Sequence, residues 1–569
     1  MVITDIKKRN LWQPLTATVL ALFYTLPFLL RINYWGVRDW DLFTTIAAVP
    51  VGSLLDFGQF PFWNMYMGGG NILFHHPEVL VLSPFFVLYL VFGAVVGLKL
   101  QVFLCYVIGF WGTLRMARRL ELSQASSVMV AVAYFGSVHF ALHFAEGHMP
   151  FTHFCFLPWV FYFLLDTGSR LRAAVGSGVC LALMILGNGA AIPLLYTLTF
   201  CGLYFSLVSL ANRTWRPLNN LVLGVITGFG LAAVKLVPMV IYLVNNRWEG
   251  EPHEAIPLGA LNSIFFGWDH SLFARNFTGQ QWAWHEYGAY LSPLLVILAV
   301  VPLAWRWRRF WPWLMVAALF LALGLGDFGP WSPWTLLAHL PGFSSARCTG
   351  RAFQFVLLSG AVLGGFGLDI VRTELQAKSQ LLRRGITIGV VMLVVGTNLI
   401  LAWPIMTSAF TRPPVTVERQ VEFRHVVTKL QAYENFLANR GSLITPWLSA
   451  YQPSRALVDP ANNTYLEHVL SGDASVVDRV YTPNRIEYRL DVLKPGQMVI
   501  SMGYDQGWSA EDGRELSPSQ RLISFDILQG RDVIVLTYRP PYLLLGLTLS
   551  GLTLLLLGWL CKRYRLDSI

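Results

Sequence analysis

Apolar runs of about 20 residues, the length that crosses a bilayer as a helix, recur along most of the chain. They fall at roughly 12–31, 98–116, 123–143, 150–167, 173–189, 190–210, 219–244, 288–305, 311–326, 352–371, 385–404 and 541–561. Small basic clusters separate them: Lys7/Lys8/Arg9, Arg115/Arg118/Arg119, Arg170/Arg172, Arg213/Arg216, Arg306/Arg308/Arg309, Arg372 to Arg384, and Lys562/Arg563/Arg565. All of these clusters fall on alternate loops, so they share one side, which the positive-inside bias makes the cytoplasm. About twelve spans with both termini inside are expected.

The stretch Val79 to Leu98 is also long enough to cross. A crossing there would put Arg115, Arg118 and Arg119 outside and break the alternation. It is therefore expected to lie in-plane or re-enter within a first external loop, residues 33–97, as shielded backbone permits. The other external segments are 144–149, 245–287, 327–351 and 405–540. In the last of these the pattern changes. Period-2 alternation appears in Arg485 to Leu490 and Val533 to Tyr538, with turn signals at Lys494-Pro495-Gly496 and Asp512-Gly513. The expected organisation is a transmembrane module over 1–404, a small β-rich extracytoplasmic domain over 405–540, and a final helix with a short tail over 541–569.

Composition agrees. The 569 residues are 55% hydrophobic and only 13% charged, where a soluble protein carries roughly a quarter charged residues. Lys and Arg number 42 against 32 Asp and Glu. The excess sits in the loop clusters, which excludes a nucleic-acid binder. Cys105, Cys155, Cys180, Cys201, Cys348 and Cys561 form no CxxC pair and read as small core hydrophobes. Lys7, Lys8 and Arg9 ahead of an apolar run look like a signal peptide. The run is long and lacks a small-residue cleavage site, so a retained first helix is expected.

The candidate chemistry gathers on the external side. Asp39 and Asp41 directly follow the first span, where a carboxylate has a functional role as base or metal ligand. Behind them come Trp63-Asn64, the glycine run Gly68-Gly69-Gly70 and His75-His76-Pro77-Glu78. Glycines allow close approach to a ligand or a sharp turn. Trp35, Trp40 and Trp63 read first as interfacial anchors, with Trp63 and Asn64 kept as sugar contacts. His75 and His76 lack any HExxH or Cys/His spacing, so no zinc site is expected. Glu146 and His148 are candidates to join Asp41 as metal ligands or to position an acceptor hydroxyl. His285, Glu286 and Tyr287 are candidates for acceptor or sugar recognition. Arg347 and Arg351, ahead of a helix start, suit a lipid-linked phosphate. Lys235, within an apolar span, is either a snorkelling residue or a second phosphate contact.

In this order along the chain, several motifs resemble the YfhO-like bacterial membrane proteins of the GT-C glycosyltransferase superfamily. They are Asp39-Trp40-Asp41, Pro61-Phe62-Trp63-Asn64 with the glycine run, Arg115 to Leu122, and Gly147-His148. Further along come Arg347 to Phe353 leading into Gly365-Phe366-Gly367-Leu368-Asp369, then Tyr504 to Trp508 and Tyr538-Arg539-Pro540-Pro541. This chain is shorter than many of those relatives. The resemblance implies a GT-C-like polytopic fold in the bacterial cytoplasmic membrane, with an outward-facing active site. It implies transfer of a hexosyl or pentosyl unit from a polyprenyl-phosphate carrier to an envelope glycan, lipid or protein. Asp39 or Asp41 would be the catalytic acid, with Asp41 the first choice, and Arg347 or Arg351 would meet the departing phosphate. A divalent cation (Mg²⁺, Mn²⁺ or Ca²⁺) is the cofactor expected. The chain has no P-loop, so no nucleotide cofactor is expected. Membrane lipids are partners by location. The competing readings are a lipid-linked sugar flippase or transporter, against which stand the lack of repeats, the lack of charge in most spans and the clustering of the candidate acids at one face, and a non-catalytic envelope scaffold.

Overall fold

Each of the twelve apolar runs folds as helix, because twenty residues without water must satisfy their backbone internally. The structure, a computed structural model, describes residues 11–166, 168–246, 254–340, 343, 348–375, 379–427, 431–442, 466–519 and 521–564. In chain order the first elements are α1 (Trp12–Leu30), α2 (Asp39–Leu55), β1 (Trp63–Asn64), β2 (Asn71–Ile72) and α3 (Phe86–Arg119). Next come α4 (Gln124–Tyr134), α5 (Val138–Glu146), a 3₁₀ segment Met149–Phe156, α6 (Leu157–Leu164), α7 (Arg170–Leu186) and α8 (Ile192–Asn212). They are followed by α9 (Arg216–Leu231), α10 (Ala233–Asn245), α11 (Ala260–Phe266), α12 (Pro293–Gly324), α13 (Pro333–Ala338), α14 (Phe353–Glu374) and α15 (Gln380–Thr407).

The β-rich region follows: β3 (Arg424–Val426), α16 (Ala432–Leu437), β4 (Arg440–Ser442), β5 (Glu467–Thr482), β6 (Arg485–Gly503), β7 (Trp508–Ala510), β8 (Ser517–Ser519), β9 (Leu522–Ile527) and β10 (Gly530–Tyr538). The chain then enters α17 (Leu543–Arg563). The protein is thus a multi-pass α-helical membrane protein with a β-rich region before its last helix.

Several spans depart from single straight helices. Among the described residues, seven helices are long and apolar enough to cross a membrane, or eight if α9 and α10 count as one. Those two meet at 89°, so the run 219–244 is a broken helix. The runs 288–305 and 311–326 both lie in α12, which kinks at Arg306 (φ −143°, ψ 59°). The stretch 79–98 forms no span of its own. Its second half enters α3, which is interrupted at Gly93 (φ 74°, ψ 168°). Helix α2 had no counterpart among the expected spans.

Loop contacts test the charge-based topology. At one end, Arg119 and Arg172 both pair with Asp166, at 3.0 and 3.6 Å. Ser123 donates its backbone N–H to Asp369 at 2.7 Å, and Arg309 reaches Glu121 at 3.2 Å. Loops assigned to one side by their basic residues therefore meet. The remaining loops meet at the other end, where α3 carries the chain away from the first loop.

The β-rich region is a six-stranded sheet in which β6 pairs antiparallel with β5, β9 and β10. Its alternating inward residues Ile486, Tyr488, Leu490 and Val492 are all buried, the period-2 signature of a half-buried strand. The glycine run anchors this sheet to the helical module. Gly69 accepts from the Gly503 N–H (2.9 Å) and donates to Ser442 (3.1 Å). At Gly70 (φ +93°) a Cβ would lie 2.4 Å from Met502 Cγ, so only glycine permits the approach. The run serves an internal junction between the first loop and the β-rich region.

Candidate active site

Helix α2 opens directly after α1, and its first turn presents two carboxylates two residues apart. On a helix that spacing turns them about 200° from one another, so they serve different neighbours. Asp41 faces the β-rich region, where it accepts the backbone N–H groups of Ala432 (2.7 Å) and Tyr433 (3.2 Å) at the start of α16. Burial pushes its carboxyl above the usual range, with those two hydrogen bonds and Arg412 opposing. Asp39 faces α5 and the turn that follows it. Its Oδ2 lies 3.1 Å from His148 Nε2.

Gly147 makes that contact possible. It ends α5 in the left-handed region (φ +103°), and a Cβ there would fall 2.3 Å from the Trp40 backbone nitrogen. Trp40 fixes the same junction from below: its Nε1 donates to Phe144 O at 3.0 Å, and its ring packs on Phe28 and Phe410.

Around Asp39 and His148 the opposing loops converge. His143 Nδ1 lies 2.8 Å from His148 Nδ1, and the His143 ring stacks on Phe151 with centroids 3.6 Å apart. Arg38 donates to Glu146 Oε2 at 2.7 Å and stacks over Phe273 at 4.2 Å. Its backbone sits at φ +60°, a conformation that costs about 1–3 kcal/mol in a non-glycine residue. His285 lies between two acids, with Nδ1 3.6 Å from Glu146 and Nε2 3.5 Å from Glu286. Glu286 in turn holds Arg351 in a fork, Nε to Oε2 at 2.7 Å and Nη2 to Oε1 at 2.5 Å.

The carboxylates differ in access. The Asp39 side chain is 27% exposed, against 11% for Glu146 and 5% for Glu286. Burial acts to raise Asp39, but the His148 hydrogen bond and the charges of His148 and His285 outweigh it and hold the carboxyl below its usual range. Glu286 is likewise penalised by burial, yet Arg351 holds it well below its usual range. Asp39 is therefore an ionised carboxylate with an open side, and Glu286 is an ionised one already neutralised by its partner.

The structure thus gathers Asp39, Glu146, His148, His285, Glu286 and Arg351, and places other candidates elsewhere. Tyr287 turns away to Glu254, donating at 2.5 and 2.6 Å. Lys235 is buried and donates to the carbonyls of Val79 (2.5 Å), Gly187 (2.6 Å) and Pro77 (3.5 Å), away from the Asp39 cluster. Trp63 and Asn64 are buried at the junction. Trp63 packs on Trp508 and Tyr538, and Asn64 accepts from the Tyr66 N–H. Trp35, Trp40 and Trp63 are all buried in protein and are not interfacial anchors. Arg347 lies outside the described residues.

The expected metal set Asp41, Glu146 and His148 does not assemble, because Asp41 is engaged by α16. The ligand atoms that converge, within 4.8 Å of one another, belong to His143, His148 and Glu286. His143 Nε2 is buried without a hydrogen-bond partner, as a ligand nitrogen would be. Two imidazoles and one carboxylate suit a transition ion such as Mn²⁺ or Zn²⁺ better than Mg²⁺ or Ca²⁺, which prefer all-oxygen shells. His143, Arg38 and Glu254 were missed in the sequence. A signal for His143 was present: His139 and His143, at i and i+4 inside an apolar run, are costly in a membrane without a task.

No protein-family model matches the chain, and no curated protein is significantly similar to it. Among solved structures it is similar to the arabinofuranosyltransferase AftD from mycobacteria, at 17% identity and a TM-score of 0.41. That match covers 70% of this chain and 27% of AftD, so the chain spans about a quarter of that protein's length. It is similar to ArnT from Cupriavidus metallidurans bound to undecaprenyl phosphate, at 14% identity and a TM-score of 0.43, over 90% of this chain and 98% of ArnT. The oligosaccharyltransferase from Archaeoglobus fulgidus in its apo form matches at 12% identity and a TM-score of 0.44, over 77% and 64% of the two chains. The functional reading below rests on the site residues themselves.

Proposed function

We propose that this protein is a GT-C-type glycosyltransferase. It would move a monosaccharide from a polyprenyl-phosphate carrier to an envelope acceptor on the outer face of a bacterial cytoplasmic membrane. One observation carries the reading: Asp39 is an open, ionised carboxylate at the mouth of the first span, oriented by a histidine pair and ringed by acids that already have partners. A general base needs that combination of access and charge.

In the proposed reaction the acceptor hydroxyl gives its proton to Asp39 while its oxygen bonds to the anomeric carbon. The bond from that carbon to the phosphate oxygen breaks, and the polyprenyl phosphate leaves with the electron pair. The neighbouring acids Glu146 and Glu286 are held by Arg38 and Arg351, so single displacement with inversion is the simplest course. Glu286 and Arg351 neutralise one another and position His285. Of the two arginines assigned the phosphate contact from sequence, Arg351 is occupied by Glu286, and this proposal adds Arg38 beside Arg347 for that role. Arg38 is partly exposed and spends one nitrogen on Glu146, so it can offset charge on the leaving oxygen. A transition ion, if bound, would be held by His143, His148 and Glu286 and would supply Lewis-acid stabilisation of an oxyanion.

The test is mass analysis of lipid-linked sugars and envelope glycans in cells carrying the wild-type protein or Asp39→Asn. Accumulation of one polyprenyl-phosphate sugar with loss of one glycan unit is expected, and it names the donor. Identical lipid and glycan profiles would sink the proposal.

A further inference from the structure

A second cavity lies where α10, the second arm of the broken helix, meets the β-rich region. It has a volume of about 190 Å³ and is lined by His75, Tyr242, Asn245, Asn246, Tyr504 and Asp505, among others. None of its lining residues belongs to the Asp39 cluster. At roughly 30 Å³ per water in the liquid, the cavity holds on the order of half a dozen waters.

Its walls are fixed from several directions. Lys235 ties the segment after His75 to α10 through Val79. Tyr242 on α10 donates to Asn71 at 3.3 Å. Asp505 is held by its Oδ1, which accepts from the Gly507 N–H (2.8 Å) and the Tyr538 hydroxyl (3.1 Å). Its other oxygen takes part in neither bond. His75 is 1% exposed, and its Nδ1 has no hydrogen-bond partner. Burial and the nearby charges of His76 and Lys235 push this imidazole down to about 3, so it is neutral and offers hydrogen bonds without charge.

We infer that this cavity is a binding site for one neutral sugar ring, formed jointly by α10, the first loop and the β-rich region. Among the described residues the lining contains one carboxylate, three amides, a neutral imidazole and two tyrosines, and no lysine or arginine. A polyol meets acceptors and donors in the mix that its hydroxyls need, with aromatic faces beside them. An orphaned buried imidazole nitrogen costs free energy that such a hydroxyl restores. That the ring is a unit of the acceptor glycan rests on the transferase reading; the binding itself does not.

Binding is measured on the full chain in detergent, without donor, by saturation-transfer NMR against a panel of trisaccharides: chitotriose, mannotriose, isomaltotriose and arabinofuranotriose. At least one is expected to bind. Asp505→Asn is expected to weaken that binding roughly tenfold. Asn245→Trp, at an exposed rim position, is expected to abolish it by plugging the cavity while leaving the unfolding midpoint unchanged. Asp39→Asn is expected to bind the same trisaccharide as the wild type, which separates this site from the transfer site. If no member of the panel binds, or if binding survives Asn245→Trp, the inference is overturned whatever becomes of the transferase assignment.

Discussion

His143 and His148 face one another through their Nδ1 atoms at 2.8 Å, so a single proton lies between two rings. The Nε2 of His148 points at Asp39 and donates to it. In a neutral ring its Nδ1 is then the lone pair, which makes His143 the donor in that contact. The Nε2 of His143 is left unprotonated and unpartnered in a buried setting. The three residues form a relay ending in a free lone pair, and that lone pair is where a proton or a metal ion would enter.

The two aspartates have separable roles. Asp39→Asn should lower the transfer rate by about 10²–10⁴, the usual worth of a positioned base, with the unfolding midpoint nearly unchanged. Asp41→Ala removes the carboxylate that accepts the first N–H groups of α16. It should cost about 0.5–2 kcal/mol while the folded enzyme keeps its rate. Transfer assays and thermal unfolding on the two proteins decide this. Equal rate losses would return Asp41 to the chemistry.

The acid limb of the pH–rate profile follows from the same contacts. The Asp39 carboxyl sits below its usual range, held there by the His148 hydrogen bond and the charges of His148 and His285 against burial, so the base stays ionised to lower pH than a free aspartate. His148→Ala removes the hydrogen bond and charge that lower it and leaves burial, which raises it. The limb should move to higher pH in that variant. Stability has the same sign. For Asp39 and Glu286 the folded values lie below the unfolded ones, so their contribution is complete above the unfolded values and is lost as pH falls through the folded ones. A profile unchanged by His148→Ala would remove His148 from the base.

Glu286 and Arg351 test whether the buried fork supports the fold. Removing one partner strands a buried charge, which costs about 3–5 kcal/mol. Arg351→Met should therefore unfold early, and Glu286→Gln with Arg351→Met should recover most of the loss. Failure of the double variant to recover would mean that Arg351 has a second obligatory contact.

The helical class and the sides of the loops were legible because a bilayer leaves no latitude in span length, and because basic residues collect on one face. That is why Glu146, His148, His285, Glu286 and Arg351, from loops up to 205 positions apart in sequence (351 − 146), were grouped before their contacts were known. The pairings were not legible. Asp39 and Asp41 look equivalent in a string, and only the rotation of α2 sends one to His148 and the other to α16. Trp63 and the glycines after it look like a ligand loop, because close backbone approach reads alike whether the approaching group is a sugar or Met502. His143 escaped notice because it closes an apolar run.

Lys235 offers the last test, since sequence left it between a snorkelling residue and a phosphate contact. Its ammonium caps carbonyls from two other segments at the 89° break between α9 and α10. Lys235→Met retains the stem volume but leaves the Val79 and Gly187 carbonyls unpaired, at about 1–3 kcal/mol each when buried. The variant should lose thermal stability in detergent. It should also bind the trisaccharide panel more weakly, because the segment that carries His75 loses its tie to α10. Its KM for the polyprenyl-phosphate donor should not move. A raised donor KM at unchanged stability would instead place Lys235 on the phosphate.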